Sequence, residues 1–363
     1  MNFASDNGAG VAPEILEAIA SSSKVNAPAY GGDAYTARAT AMLNDVFETK
    51  VEAFLVATGT GANAMALSAL ARSWEAVFCH EEAHIHDDEC GAPEFFTGGA
   101  KLVGIPGEGG KVTPEGLRET LARFPRGLVK SPQPGALSLS QATEAGTIYS
   151  RDEIAELCAI ARAADVRTHM DGARFANALV TSGLTPAELT WRAGIDALSF
   201  GATKNGALAC EAVVFFDAGL AANFAYLRKR AGHTLSKGRL LGAQMEAYLK
   251  DGLWRRLAER ANVAAQRLSR GLSQAPGVRL AWPTQANEVF VAAPDATVAT
   301  WRREGAIFHE WSTRSLDPER APRAGETLVR LVTSFETGES EIDRLLDLSA
   351  TPAAAEAPPL RRK

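Results

Sequence analysis

Short apolar runs that stop at small-residue turns and alternate with helical stretches recur up to about residue 240. That alternation is the strongest constraint on the fold. Ala53–Ala57 is a strand-like run followed by Thr58-Gly-Thr-Gly-Ala-Asn63 and a helical stretch, Ala64–Arg72. Val77–Cys79, Leu102–Ile105, Val166–Met170, Ala197–Phe200 and Ala212–Phe216 read as further strands, and Leu128-Val129 and Ser138–Ser140 flank another loop. Between them lie helices at Ala12–Ala20, with Pro13 near its first turn, Tyr35–Phe47 and Asp152–Ala164. Ser150 and Glu153 have the spacing of a capping box for the last of these. Repeated strand-then-helix units imply a mainly parallel sheet covered on both faces, with ligands bound beyond the strands' carboxyl ends.

The texture changes after Leu241. Leu240–Leu272 reads as one long Arg-rich helix, followed by strands at Val278–Leu280, Glu288–Ala292 and Val329–Val332. At 363 residues the chain exceeds the roughly 250–300 residues of one core. The expected division is an N-terminal arm at 1–25, a large domain at 26–244, a smaller α+β domain at 245–350 and a disordered Pro/Ala tail at 351–363. A net charge of −5 and the absence of a basic stripe exclude a nucleic-acid partner or an anionic membrane surface. No apolar run approaches the ~20 residues of a membrane span, and Met1–Asp6 lacks the basic and apolar regions of a signal peptide. Four scattered cysteines without a zinc or redox spacing are expected as reduced thiols, and the chain as cytoplasmic.

The chemistry-bearing residues fall at strand ends. Lys204 stands in the loop after Ala197–Phe200, and Asp171 ends the unit Thr168-His-Met-Asp-Gly-Ala-Arg174. A lysine and an aspartate so placed suit pyridoxal phosphate: the amine bonds the cofactor's aldehyde, and the carboxylate keeps the pyridine nitrogen protonated. Thr58–Asn63, between a strand and a helix, offers backbone N–H groups to a phosphate. It lacks the Lys-Ser/Thr of a nucleoside triphosphate loop. Gly59-x-Gly61-x-x-Ala64, with Glu81 and Glu82 beyond it, also fits a loose dinucleotide fingerprint, and a plain tight turn is the bland reading.

His80, His84 and His86 sit among acids but match no metal spacing, so no metal site is expected; His84 could stack on a cofactor ring and move protons. Arg174 is either a solvated charge or a fork for a phenolic oxygen or carboxylate. Arg330 is either an edge-strand arginine or the clamp for a substrate carboxylate.

These motifs, together with Ala4-Ser-Asp6, Ala29-Tyr-Gly-Gly-Asp33, Ala83-His84, Asp88-Glu-Cys-Gly-Ala-Pro-Glu-Phe-Phe96, Thr203-Lys-Asn-Gly206 and Arg330-Leu-Val-Thr333, make the chain resemble the low-specificity threonine aldolases. The resemblance covers residues 3–350. It implies the fold of the aspartate-aminotransferase class, with a mainly parallel seven-stranded sheet. It further implies that Lys204 carries pyridoxal phosphate, that Asp171 pairs with the ring nitrogen and that His84 stacks on the ring. Gly59 and Thr60 would bind the phosphate, with Lys229 and Lys237 adding charge from a neighbouring subunit. Ser5, Arg174 and Arg330 would hold the substrate carboxylate, and Tyr30 would reach in from a partner. Many relatives place a histidine near the substrate hydroxyl in the loop spelled here Ser140-Gln-Ala-Thr-Glu144, and its position is read as Thr143.

The expected reaction is cleavage of L-threonine, L-allo-threonine and related β-hydroxy-α-amino acids to glycine and an aldehyde, in a homodimer or homotetramer with shared active sites. A β-eliminating lyase or an amino-acid racemase would share the cofactor residues. A nicotinamide-dependent dehydrogenase would rest on the Gly59 fingerprint alone and leave Lys204 unexplained. A non-enzymatic binding protein on this fold would need to have lost the lysine or the aspartate.

Overall fold

Seven strands build the large sheet of the computed structural model, which describes residues 1–350. They are β1 Glu52–Val56, β2 Glu75–His80, β3 Lys101–Ile105, β4 Gln133–Ser140, β5 Arg167–Gly172, β6 Ala197–Gly201 and β7 Glu211–Phe215. The spatial order is β1-β7-β6-β5-β4-β2-β3. All neighbouring pairs from β6 to β3 are parallel, and β7 alone runs against both its neighbours. β6 and β7 are buried along their whole length, so they read as continuous apolar runs rather than as alternating ones. Successive side chains nevertheless serve opposite layers. Val214 joins the cluster that holds Ile15, Leu43, Phe47 and Trp254, whereas Val213 and Phe215 join Met65 and Phe224 on the other face.

Three helices set the site's surroundings. α1, Pro13–Ser23, opens on a proline whose missing N–H costs a first turn nothing. α2, Ala34–Phe47, is capped by Asp33, which accepts from the Thr36 N–H. α3, Gly59–Leu70, is capped by Thr58, whose hydroxyl accepts from the Gly61 N–H at 3.1 Å. The predicted Thr58–Asn63 loop is therefore the first turn of α3, because a threonine cap and two tolerated glycines start the helix five residues earlier than the apolar pattern suggests. The Ser150–Glu153 capping box forms as the spacing predicts.

Leu128-Val129, read as flanking a loop, lies in one, with Val129 almost wholly exposed in a turn. One sequence expectation gives way. The long helix predicted over Leu240–Leu272 is two helices, Arg239–Leu249 and Leu253–Leu272. Asp251 (φ 51°) and Gly252 (φ 69°) break it, since this Asp-Gly pair tolerates the left-handed backbone that a helix interior forbids.

A second, antiparallel sheet follows: β8 Arg279–Leu280, β9 Glu288–Pro294, β10 His309–Glu310 and β11 Glu326–Val332, in the order β10-β11-β9-β8. Its core gathers Val289, Val291, Trp301, Val329 and Leu331. The first residues of the chain are stitched to it. The Phe3 N–H donates to the Ile307 carbonyl and the Val332 N–H to the Phe3 carbonyl, both at 2.8 Å, and the Phe3 ring lies in the same core. The expected tail at 351–363 lies outside the described residues. No helix among the described residues is long and apolar enough to cross a membrane.

Candidate active site

The strand ends converge on a cavity of about 380 Å³. Its lining brings together Thr58, Gly59 and Thr60 from the β1–α3 turn, Asp171 and Arg174 from the end of β5, and Lys204 from the turn after β6. His84, beyond β2, lines it as well. In-register pairing fixes the floor, with Asp171 lying between Ser140 of β4 and Ser199 of β6.

Asp171 is held at both oxygens. Oδ1 accepts from the Ala173 N–H at 3.0 Å, and Oδ2 from the Asn63 amide at 2.8 Å. The same Asn63 nitrogen donates to Glu89 Oε1 at 2.9 Å, and that oxygen also meets His84 Nδ1 at 3.0 Å. The hydrogen bond that His84 donates to Glu89 raises the affinity of His84 for its proton, against the opposing effect of burial. Burial in turn raises Glu89 above the usual carboxylate range. Two strand positions before Asp171, on the same face, His169 is locked between Ser138 Oγ at 2.8 Å and Ser199 Oγ at 2.9 Å. Burial pushes it down to about 4, so its ring is neutral at physiological pH. Glu211 lines the cavity too. It accepts from the Ala202 N–H at 2.7 Å, and burial pushes it up to about 7.

The first turn of α3 is built as an anion seat. The Thr58 cap engages only Gly61, and a helix's leading N–H groups have no intrahelical partner. A Cβ at Gly59 would meet no atom within 4 Å, so the turn opens on free space. Gly61 is dictated by its neighbour: a Cβ there would sit 2.5 Å from His233 Nε2. The other nitrogen of His233 accepts from the Ala57 N–H at 3.2 Å and so braces the turn from behind.

Arg174 is deeply engaged. Nε and one terminal nitrogen donate to the two oxygens of Asp6 at 2.8 and 3.0 Å, and the other terminal nitrogen lies 3.4 Å from Glu288 Oε1. Asn287 adds a donor to Asp6 at 3.0 Å. Burial alone would raise Asp6; the Arg174 guanidinium outweighs it and holds the carboxyl below its ordinary value. Arg330 lies next to this cluster rather than in the cavity lining. Its guanidinium covers the Trp311 ring at 4.1 Å and lies 3.9 Å from Glu288, and its Nε is buried without a partner. Burial lowers the proton affinity of Arg330. Glu288 is buried between the two arginines with neither oxygen hydrogen-bonded.

The remaining predicted residues lie elsewhere. Ser5 caps a short turn by accepting from the Asn7 N–H at 3.1 Å. Tyr30 is 56% exposed, with Lys229 Nζ 5.1 Å from its ring centre, and Lys237 is exposed. Thr143 is fully buried and donates to the Gly109 carbonyl at 2.8 Å, pointing away from the cavity. Its neighbour Glu144 lines the cavity instead. The three clustered histidines turn to different partners: His80 to the Gly107 carbonyl, His84 to Glu89 and His86 to Asp87.

Asn63, Glu89, His233 and Asp6 are the supporting residues that sequence reasoning left without a role. Glu89 reaches His84 five residues away and Asn63 across 26, while His233 and Asp6 meet their partners across 176 and 168.

The donor set fits pyridoxal phosphate. A primary amine, a carboxylate fixed by two donors, an imidazole and a helix turn whose Gly59 and Thr60 N–H groups the Thr58 cap leaves open surround one cavity large enough for an aromatic ring. Asn63 Oδ1 and Glu89 Oε2 are buried there without hydrogen-bond partners, leaving polar atoms for a ligand to satisfy.

Comparison with known proteins agrees. A family model described as beta-eliminating lyase matches residues 2–294. A low-specificity L-threonine aldolase of a Pseudomonas species is 41% identical over 343 residues, spanning 94% of this chain and 95% of its own. That of Pseudomonas aeruginosa is 40% identical over 347 residues, spanning 96% and 95%. Among solved structures, a threonine aldolase of Leishmania major superposes with a TM-score of 0.88 at 29% identity, covering 96% of this chain and 98% of its own. Sphingomonas wittichii serine palmitoyltransferase shares the fold alone, with a TM-score of 0.64 at 16% identity over 96% of this chain and 86% of its own.

Proposed function

The chain belongs to the beta-eliminating lyase family and, within it, to the low-specificity L-threonine aldolases, and from that premise we propose the following reaction and division of labour. The enzyme is a pyridoxal-phosphate-dependent carbon–carbon lyase. It cleaves L-threonine, L-allo-threonine and related β-hydroxy-α-amino acids to glycine and an aldehyde. The single observation that carries this reading is the convergence of Lys204, the doubly anchored Asp171 and the open first turn of α3 on one cavity.

Bound pyridoxal phosphate supplies an electron sink for the pair left on Cα when the Cα–Cβ bond breaks. Lys204 holds it through its amine. Asp171 keeps the proton on the ring nitrogen; with both oxygens already fixed, it needs no reorganisation to do so. The Gly59 and Thr60 N–H groups would take the phosphate, and His84, in the same cavity lining, would pack against the cofactor. Arg330, backed by Arg174, would take the substrate carboxylate and so fix how the substrate's Cα is presented to the cofactor. Ser5 stands beside Asp6, the partner of Arg174, at the edge of this carboxylate site.

Tyr30, Lys229 and Lys237 lie at the surface of their own chain. In this reading they serve the active site of a second copy, in a homodimer or a dimer of dimers, and the enzyme works in the cytoplasm. Exposure of Tyr30 on a left-handed backbone (φ 60°) supports a loop shaped for an outside contact.

The test is aldehyde release from L-threonine, L-allo-threonine, L-phenylserine and their D forms by the cofactor-loaded protein. Aldehyde in equal amount to glycine, from the L forms only, is expected. Pyruvate with ammonia, or D-amino acid formation, would shift the assignment to an eliminating lyase or a racemase.

A further inference from the structure

The loop after β4 alternates its side chains. Ser140, Ala142 and Glu144 line the cavity, while Gln141 and Thr143 are buried behind it. Gln141 clamps Tyr149 through two hydrogen bonds of 2.9 Å, and Thr143 is tied to Gly109 and Thr147. Glu144 is therefore carried on a loop pinned on both sides. Its Oε1 accepts from the His84 N–H at 3.1 Å and faces Ser140 Oγ at 3.5 Å. Its Oε2 has no bonding partner among the described residues and is not sealed from the cavity.

Resting on the aldolase reading above, we propose that Glu144 is the general base that takes the β-hydroxyl proton of the substrate. Each of the other carboxylates of the cavity already holds a structural hydrogen bond to a neighbouring side chain or backbone N–H, and the free oxygen of Glu89 is sealed by burial. Asp171 has both oxygens bound, Glu211 is bound to the backbone N–H of Ala202 beside Lys204, and Glu89 is shared between His84 and Asn63. His84, with its proton favoured by Glu89, is a poor acceptor.

The step balances. The β-O–H bond breaks and its proton passes to Glu144 Oε2. The oxygen's electron pair forms the aldehyde C=O as Cα–Cβ breaks, and the pair left on Cα is protonated from solvent to give glycine. Glu144 returns its proton to solvent, so one proton is released and one consumed. The charges acting on Glu144 are those of Asp171, His84, Lys204 and Glu288, with Arg174 and Arg330 further along the same wall. Burial and the charge of Asp171 raise its proton affinity, which moves a carboxylate toward the range useful to a base at neutral pH.

The test compares two reactions of the loaded enzyme. Glycine has no β-hydroxyl, so exchange of its α-proton in heavy water does not need this base. Glu144→Gln is expected to lower kcat for L-threonine cleavage about 100-fold or more. Its glycine exchange and its change in cofactor absorbance on adding glycine are expected to stay within about 3-fold of the parent. Glu144→His should restore part of the cleavage, with the acidic limb of kcat/KM moved toward the ordinary histidine range. It also serves as the second variant should Glu144→Gln fail to fold. Cleavage within about 3-fold of the parent in Glu144→Gln would overturn the assignment, as would equal losses of cleavage and exchange. A parent enzyme that released no aldehyde at all would instead sink the aldolase reading, and this proposal with it.

Discussion

Replacing Asp6 by asparagine preserves the side chain's shape and removes its charge. Asp6 and Arg174 are at most 7% exposed and share two hydrogen bonds, of 2.8 and 3.0 Å. Removing one partner of a buried pair costs about 3–5 kcal/mol, because the other charge is left in a medium that does not solvate it. Asparagine still offers one acceptor and Glu288 remains 3.4 Å away, which places the cost at the lower end, about 3 kcal/mol. With an unfolding entropy of about 2.1 cal/mol/K per residue, the loss corresponds to about 4 °C in Tm for a chain of this length. The pH dependence has a definite sign. The folded carboxyl sits below its ordinary value of 3.8, so its stabilisation is fully present above that value and is lost as pH falls through the folded one. The Tm gap between parent and Asp6→Asn should therefore stay constant from pH 7 to about pH 5 and close below the ordinary aspartate value. Thermal melts followed by circular dichroism across that range measure it. A gap under 1 °C at pH 7, or one that widens in acid, would refute the reasoning. Asp6→Asn combined with Arg174→Gln should cost less than the two singly, since the pair is one unit.

Three further outcomes are expected. Lys204→Ala should lose the visible absorbance of the covalently held cofactor, and borohydride reduction of the parent should label the peptide that contains residue 204. Glu89→Gln should let His84 release its proton at lower pH, read by NMR titration of the ring, because the largest influence holding that proton is the Glu89 hydrogen bond. Thr143→Val should cost about 1–3 kcal/mol of stability, since it strips three buried hydrogen bonds, and should lower kcat far less than Glu144→Gln does, since its side chain lies behind the cavity.

The sequence was most readable where local rules decide. The capping box at Ser150, the strand-end aspartate and the lysine in its small-residue turn are set by residues within a few positions of each other. Apolar periodicity failed at Asp251-Gly252, where one left-handed pair splits a pattern that otherwise reads as one helix. The family resemblance, not periodicity, points to Thr143 as the position near the substrate hydroxyl; Thr143 lies behind the cavity and its neighbour Glu144 lines it, one residue exchanging the buried face for the cavity face. The supporting polar residues were beyond periodicity for another reason. Asn63 meets Asp171 across 108 residues, His233 meets Ala57 across 176 and Asp6 meets Arg174 across 168. Short polar side chains carry no periodicity, and only the folded sheet brings their partners near.

The stitching of the first residues to the second sheet sets an order of events during synthesis. Phe3 and Asp6 leave the ribosome early, yet their partners Asn287, Ile307 and Val332 follow only tens of seconds later, at about 5–20 residues per second. Until then Asp6 and Arg174 have both been made but lack Asn287 and Glu288, which complete their cluster. The nascent chain can assemble its parallel sheet while its cavity wall stays open. The active site therefore closes last, and a chain stalled before residue 287 would carry the lysine and the aspartate without the arginine clamp.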